Sequence, residues 1–74
     1  MAYYRVGDRV RLDDMPHDPD PLLPGALGTV EGAIDLELGD RARAFTQVYV
    51  RWDNGRTLSC VVPPDRLTVV EPAH

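Results

Sequence analysis

The stretch AFTQVYVRWDNGRTLSCVV, residues 44–62, decides the fold. Residues 44–52 are rich in β-branched and aromatic side chains, which favour a strand, and residues 56–62 have the composition of its partner. Between them lies Asn54-Gly55, the dipeptide most typical of a tight β-hairpin. The stretch therefore predicts two antiparallel strands joined by a short turn.

The length of that turn sets the pairing of the two strands. A two-residue turn would place Val50 opposite Ser59 and so mix apolar with polar side chains on each face, which is costly where one face is buried. A three-residue turn, with Gly55 in a left-handed conformation, separates them cleanly. We therefore predict this second register, which pairs Trp52 with Arg56, Arg51 with Thr57, Val50 with Leu58, Tyr49 with Ser59 and Val48 with Cys60. It places Trp52 at the rim of the core, where the Arg56 side chain could lie across the ring.

The rest of the chain supplies three more strand candidates. Residues 6–12 alternate, with Val6, Val10 and Leu12 pointing inward and Arg9 and Arg11 pointing outward. Residues 26–34 follow as a strand with bends or bulges at its glycines, and residues 67–70 form a short closing strand. Five short strands in so small a chain predict an all-β fold, a bent antiparallel sheet closed into a small barrel.

The connecting segments are polar or rich in proline. Residues 13–24 contain four prolines and are expected to form a stiff loop, and residues 35–43 are expected to form the tip of a hairpin. At most one short helical turn is expected, at residues 64–66. The predicted organisation is a single domain over residues 1–70 with a disordered tail at 71–74.

Composition narrows the class of protein. The 74 residues carry a net charge of −4, which argues against general nucleic-acid binding, and all eight basic residues are arginine. The single cysteine, Cys60, fits a reducing compartment. No apolar run is long enough for a membrane span, and the first ten residues are too polar for a signal peptide. We expect a cytoplasmic protein without membrane contact.

Four blocks of the sequence resemble a known family. GDRVRL (7–12), PGALGTV (24–30), WDNG (52–55) and DRLTVV (65–70) are similar to an uncharacterised small domain of bacteria, their plasmids and their phages. The blocks also resemble SH3-like barrels of the KOW type. The resemblance implies an SH3-like barrel and a mobile-element context, but no established activity. The chain departs from the family pattern in a longer connector at 35–46 and in SCVVPPD after the hairpin.

Catalysis, a cofactor and a metal are not expected. The chain has one serine and one cysteine, and neither has a histidine placed to activate it. The acidic loop offers Asp13, Asp14, His17, Asp18 and Asp20, but its prolines interrupt any known ligand spacing, so a solvated loop is favoured over a metal site.

Binding remains, and a protein partner is favoured because the chain is acidic. Two alternatives stay open: capture of a small nucleotide such as a defence signal, and nucleic-acid binding of the KOW kind. A homo-oligomer is also compatible with so small a chain. Arginines beside aromatics suit stacked bases, phosphates or acidic peptides, although the same arginines could simply pair with the many carboxylates. The candidate ligand-binding residues are Arg9, Arg11, Tyr49, Arg51, Trp52 and Arg56, with Tyr3 and Tyr4 as further aromatic candidates.

Overall fold

The protein is all-β in a computed structural model that describes residues 4–37 and 44–73. Five antiparallel strands form one sheet in the order β4-β3-β2-β1-β5, as predicted in class and number. The described residues contain no helix. The strands are β1 (Arg9–Asp14), β2 (Leu27–Glu37), β3 (Ala44–Trp52), β4 (Thr57–Val62) and β5 (Arg66–Glu71).

The hairpin of β3 and β4 has the register predicted from the sequence. The main-chain N–H of Trp52 donates to the carbonyl of Arg56 at 2.9 Å, and the N–H of Gly55 donates to the carbonyl of Trp52 at 2.9 Å. Gly55 has φ +93°, the left-handed conformation that the three-residue turn requires. The pairs Arg51–Thr57, Val50–Leu58, Tyr49–Ser59 and Val48–Cys60 follow in order.

The core lies on one face of the sheet, called here the inner face. Met15 and Leu22, from the proline-rich loop, are 5% and 6% exposed and cover this face from outside the sheet. The other fully or nearly fully buried apolar residues are Val10, Leu12, Val30, Val48, Val50, Trp52 and Cys60. Their positions confirm the predicted inward phase of β3 and β4 and of Val10 and Leu12 in β1.

Two expectations for the start of the chain are corrected. β1 begins at Arg9, and Val6 is 67% exposed, so its predicted inward position was wrong. The physical reason is Gly7, whose φ of +95° turns the chain before the strand begins. The alternation seen in the sequence therefore does not extend back to Val6.

Trp52 is also placed deeper than predicted. Its side chain is 1% exposed, and the indole N–H donates to the carbonyl of Leu58 at 3.1 Å. It is part of the core and not its rim. The contacts of the Arg56 guanidinium are with Asp20, whose carbonyl accepts a hydrogen bond at 3.3 Å and whose carboxylate lies 3.7 Å away.

A bulge in β2 resets which side chains face the core. Val30 pairs with Val50 and Gly32 pairs with Tyr49, so Glu31 is the extra residue. Gly32 is one of the two glycines at which a bend or bulge was predicted. The other, Gly28, is buried opposite its pairing partner Trp52, and a Cβ there would lie 2.9 Å from the indole. The bulge leaves Glu31 on the outer face of the sheet, beside Arg51.

The predicted connector and tail are partly described. β2 and β3 stay paired from Gly28–Trp52 to Glu37–Ala44, so residues 35–37 of the predicted connector belong to β2, while residues 38–43 lie outside the described residues. At the predicted helical turn, the N–H of Asp65 donates to the carbonyl of Val61 at 2.9 Å, and β5 begins at Arg66. β5 extends to Glu71, into the segment predicted as a tail, and His74 lies outside the described residues.

Candidate functional site

The outer face of the sheet carries most of the predicted binding residues. Arg9, Thr29, Arg51 and Thr57 are consecutive partners across β1, β2, β3 and β4 and form one row. The next row along β3 is Gly32, Tyr49 and Ser59. Because side chains of paired residues share a face, the sheet places Tyr49 and Arg51 on the same face as Arg9.

Each predicted arginine of the site lies close to a carboxylate. Arg9 donates two hydrogen bonds to Asp53, at 2.8 and 2.6 Å, and a third to the hydroxyl of Thr29 at 3.0 Å. The two bonds to Asp53 raise the pKa of Arg9 and lower the pKa of Asp53, so both stay charged. The other pairs are Arg51 with Glu31 at 2.8 Å, Arg11 with Asp13 at 3.0 Å, and Arg56 with Asp20 at 3.7 Å.

Arg11 lies two residues after Arg9 on β1, and its ion-pair partner is Asp13 of the same strand. The hydroxyl of Thr68 on β5 also donates to Asp13. The Thr68 bond first, and the Arg11 bond second, hold the pKa of Asp13 below its usual value. Since this carboxylate stays ionised at neutral pH, the Arg11–Asp13 pair presents no net positive charge to a phosphate.

Two adjoining depressions lie on the outer face, one on either side of the Arg51–Glu31 ion pair. One depression, of about 320 Å³, lies on the β1 side of the pair, and the other, of about 270 Å³, lies on the β4 side. Glu31 lines both. We call this feature the outer groove; it is lined by Val6, Thr29, Glu31, Tyr49, Arg51, Thr57 and Ser59.

The outer groove combines exposed apolar surface with charges of both signs. Val6 is 67% exposed at one end, and Tyr49 is 41% exposed at the other. Tyr49 lies over Gly32, which has no side chain to cover it. An aromatic ring and an aliphatic side chain on either side of an ion pair are suited to the side chains and main chain of an extended peptide.

Sequence reasoning found part of this groove. It selected Tyr49 and Arg51, but missed Val6, because the turn at Gly7 interrupts the alternation of residues 6–12, and Glu31, because no faces were assigned within residues 26–34. Trp52 is buried and offers no exposed ring face to a ligand. Tyr4 donates from its hydroxyl to the carbonyl of Leu67 at 3.2 Å and packs against the core, and Tyr3 lies outside the described residues.

Two other kinds of site have no counterpart in the part of the chain that is described. Over residues 4–37 and 44–73, no three His, Cys, Asp or Glu side chains come together in an arrangement that could hold a metal ion. Burial raises the pKa of the Cys60 thiol to about 12, and the carboxylates of Asp65 and Asp18 add to this effect. A thiol of this kind stays protonated at neutral pH and is a poor nucleophile. The same residues include no helix long and apolar enough to cross a membrane.

Comparison with known proteins gives a family and no close relative. Neither the curated proteins nor the solved structures include a match to the chain. A family model described as a domain of unknown function, DUF4314, matches residues 1–70, which hold all the strands but the last residue of β5. The chain therefore belongs to this family of small domains of unknown function.

Proposed function

We propose that the protein is a non-enzymatic binding module whose outer groove holds an extended segment of a partner protein. The observation that carries the proposal is the neutralisation of the four site arginines by carboxylates, which leaves Val6 and Tyr49 as the exposed contacts of the groove. Buried aromatic anchors supply much of the binding energy at protein interfaces. In keeping with the family resemblance, we place this activity in the cytoplasm, as an accessory of a mobile element.

The charge pattern weighs against the two alternatives. A nucleotide or nucleic acid would have to displace Glu31 from Arg51 or Asp53 from Arg9 before its phosphates could be bound. Nucleic-acid affinity comes largely from phosphates neutralised by free cationic side chains. An extended peptide needs no such displacement, because it can use the ion pair as it stands and pack against the apolar ends of the groove.

Selection from a library of random 12-residue peptides displayed on phage tests the proposal. The full chain is immobilised, and the selected peptides are measured with wild type, Tyr49→Ser and Val70→Ser. Val70 is a matched control, since it is 46% exposed but lies on β5, away from the groove. An aromatic anchor contributes about 2 kcal/mol to binding. We therefore expect Tyr49→Ser to bind the selected peptides roughly 30-fold more weakly than wild type does. We expect Val70→Ser to bind as wild type does.

The two alternative functions, nucleotide binding and nucleic-acid binding, are tested with the same protein. A panel of mono-, di- and cyclic nucleotides at high excess should leave the melting temperature unchanged, because only ligands of the folded state raise it. A 30-residue oligonucleotide should show no salt-dependent binding. Stabilisation by a nucleotide, binding of the oligonucleotide, or selected peptides indifferent to Tyr49→Ser would each contradict a peptide-binding outer groove.

A further inference from the structure

We infer that the protein forms a symmetric dimer in which the β4 edges of two copies pair as antiparallel strands. The sheet order leaves β4 paired only with β3 on one side. An edge strand presents unpaired N–H and C=O groups that can accept another strand. This inference concerns assembly and does not depend on the outer groove binding a peptide.

The hairpin register shows which groups of β4 are open. The bond from Trp52 to Arg56 begins the ladder, and bonded and non-bonded pairs alternate from there. Leu58, Cys60 and Val62 therefore direct their main-chain groups toward β3. The main-chain groups of Thr57, Ser59 and Val61 point away from β3, toward the edge.

One end of this edge is closed by the chain itself. The N–H of Val61 donates to the Asp65 carboxylate at 3.0 Å, and its carbonyl accepts from the N–H of Asp65 at 2.9 Å. At the other end, β4 begins at Thr57, and the N–H of Gly55, two residues earlier, already donates to the carbonyl of Trp52 at 2.9 Å within the turn. Among the described residues, the open edge is thus a window of two residues, Thr57 and Ser59.

A second copy of the chain fits this window better than a long foreign strand. A foreign strand running past the window would meet Val61, whose hydrogen-bonding groups are already used. A second copy has the same short window, and the two match about a two-fold axis at Leu58. Thr57 would then exchange both main-chain bonds with the partner's Ser59, and Ser59 would do so with the partner's Thr57, giving a continuous ten-stranded sheet.

The side chains of β4 are compatible with this pairing. The strand TLSCVV carries no charge, whereas charged residues are a common means of protecting a sheet edge. The exposed edge of β5, by contrast, has a charge at each end and an irregular register. Leu58 is half-buried on the inner face and would meet the partner's Leu58 across the axis, covering the part of each side chain that is left open.

Sedimentation equilibrium of the full chain tests the dimer without any ligand. We expect a mass of twice 8.2 kDa at a loading concentration on the order of 100 µM, since an interface this small belongs to the weak class. In Thr57→Lys/Ser59→Lys, each lysine lies directly opposite the partner's other lysine. Like charges at facing positions should weaken the dimer roughly tenfold or more.

Two further variants make the test specific for the register. In Thr57→Glu/Ser59→Lys, opposite charges face each other across the axis, so the dimer should be retained or strengthened. Val70→Lys places the same charge on the β5 edge and should leave the mass unchanged. A monomeric wild type, a dimer unaffected by Thr57→Lys/Ser59→Lys, or dissociation by Val70→Lys would overturn the inference.

Discussion

Asp8 is the residue whose role sequence reasoning least anticipated. It is 4% exposed, and one carboxylate oxygen accepts from the N–H of Arg5 at 2.9 Å while the other accepts from the N–H of Ala73 at 2.7 Å. Its own carbonyl accepts from the N–H of Val30. A single side chain thus connects the segments before β1 and after β5, 65 residues apart in sequence.

Replacing Asp8 should destabilise the protein at both of these segments. Hydrogen bonds to a charged acceptor contribute about 1.5–3 kcal/mol each, and water can replace part of this at the ends of the chain, so we expect Asp8→Ala to lower the free energy of unfolding by about 2–3 kcal/mol. Asp8→Asn keeps one acceptor oxygen, so its free energy of unfolding should fall by less. Urea unfolding gives both values.

The matched control is Asp14→Ala. Asp14 is exposed, and among the contacts described it accepts only from the N–H of the next residue. Asp14→Ala should therefore lower the free energy of unfolding by no more than about 0.5 kcal/mol. Equal losses for Asp8→Ala and Asp14→Ala would contradict the assigned role. Hydrogen exchange at the Ala73 amide, faster in Asp8→Ala alone, provides a second and local measurement.

Because of Cys60, the free energy of unfolding is expected to fall as the pH rises in the alkaline range. Its pKa is raised to about 12 in the folded protein, mainly by burial, whereas an unfolded thiol ionises near about 8.5. A raised folded pKa means that the contribution to stability is complete below about pH 8.5 and is lost as the pH rises toward about 12. The urea midpoint of wild type should therefore fall over this range.

Cys60→Ala isolates the contribution of the thiol. This variant should be less stable at pH 7, because a buried side chain is shortened, yet its stability should fall less steeply above about pH 8.5. Tyr4, whose pKa is raised mainly by burial, is present in both proteins, and Cys60→Ala removes only the smaller effect that the Cys60 thiolate has on it. Parallel pH profiles would rule out the thiol as a source of alkaline sensitivity.

At the scale of the strands, the two glycines of β2 have different roles. A Cβ at Gly28 would lie 2.6 Å from Val50 Cγ1 and 2.9 Å from both the carbonyl oxygen of Arg51 and the Trp52 ring. A Cβ at Gly32 would meet only Tyr49 Cδ2, at an ordinary 3.6 Å. Gly28 therefore leaves room for the Val50 and Trp52 side chains of the neighbouring strand β3, while a Cβ at Gly32, beside the bulge, would clash with nothing.

This difference predicts opposite results for the same substitution. Gly28→Ala should destabilise by about 1–3 kcal/mol, because the Val50 and Trp52 side chains or the main chain would have to move. Gly32→Ala should be neutral or stabilise by about 0.5 kcal/mol, since it reduces the freedom of the unfolded chain without a clash. Urea unfolding distinguishes the two, and equal destabilisation would contradict the packing seen at Gly28.

At the scale of the whole molecule, function follows from which surfaces the fold leaves open. The inner face is closed by Met15 and Leu22, so the chain has no accessible ring face at Trp52 for a ligand. The outer face and the β4 edge are two of the surfaces that the fold leaves open. Thr57 and Ser59 belong to both surfaces, but the peptide selection depends on Tyr49→Ser and the sedimentation measurements use no peptide, so either proposal can fail while the other stands.

The sequence by itself determined the hairpin. Alternation in β3 and β4 left only one register that separates apolar from polar side chains, and Asn54-Gly55 supplied the turn that this register needs. Both signals are local, since they depend on neighbours within a few residues. Residues 51–57, RWDNGRT, thus predict the turn and the strand register that the structure has, including the outward direction of the Arg51 side chain.

Only the tertiary structure decided how the arginines are used and which residues form the groove. The partners of Arg9 and Arg51 lie 44 and 20 residues away along the chain, and Asp8 holds residue 73. The bulge at Glu31 shifts the faces of β2 by one position, which no count of alternating residues reveals. Contacts between distant segments depend on the path of the whole chain, and local patterns do not encode that path.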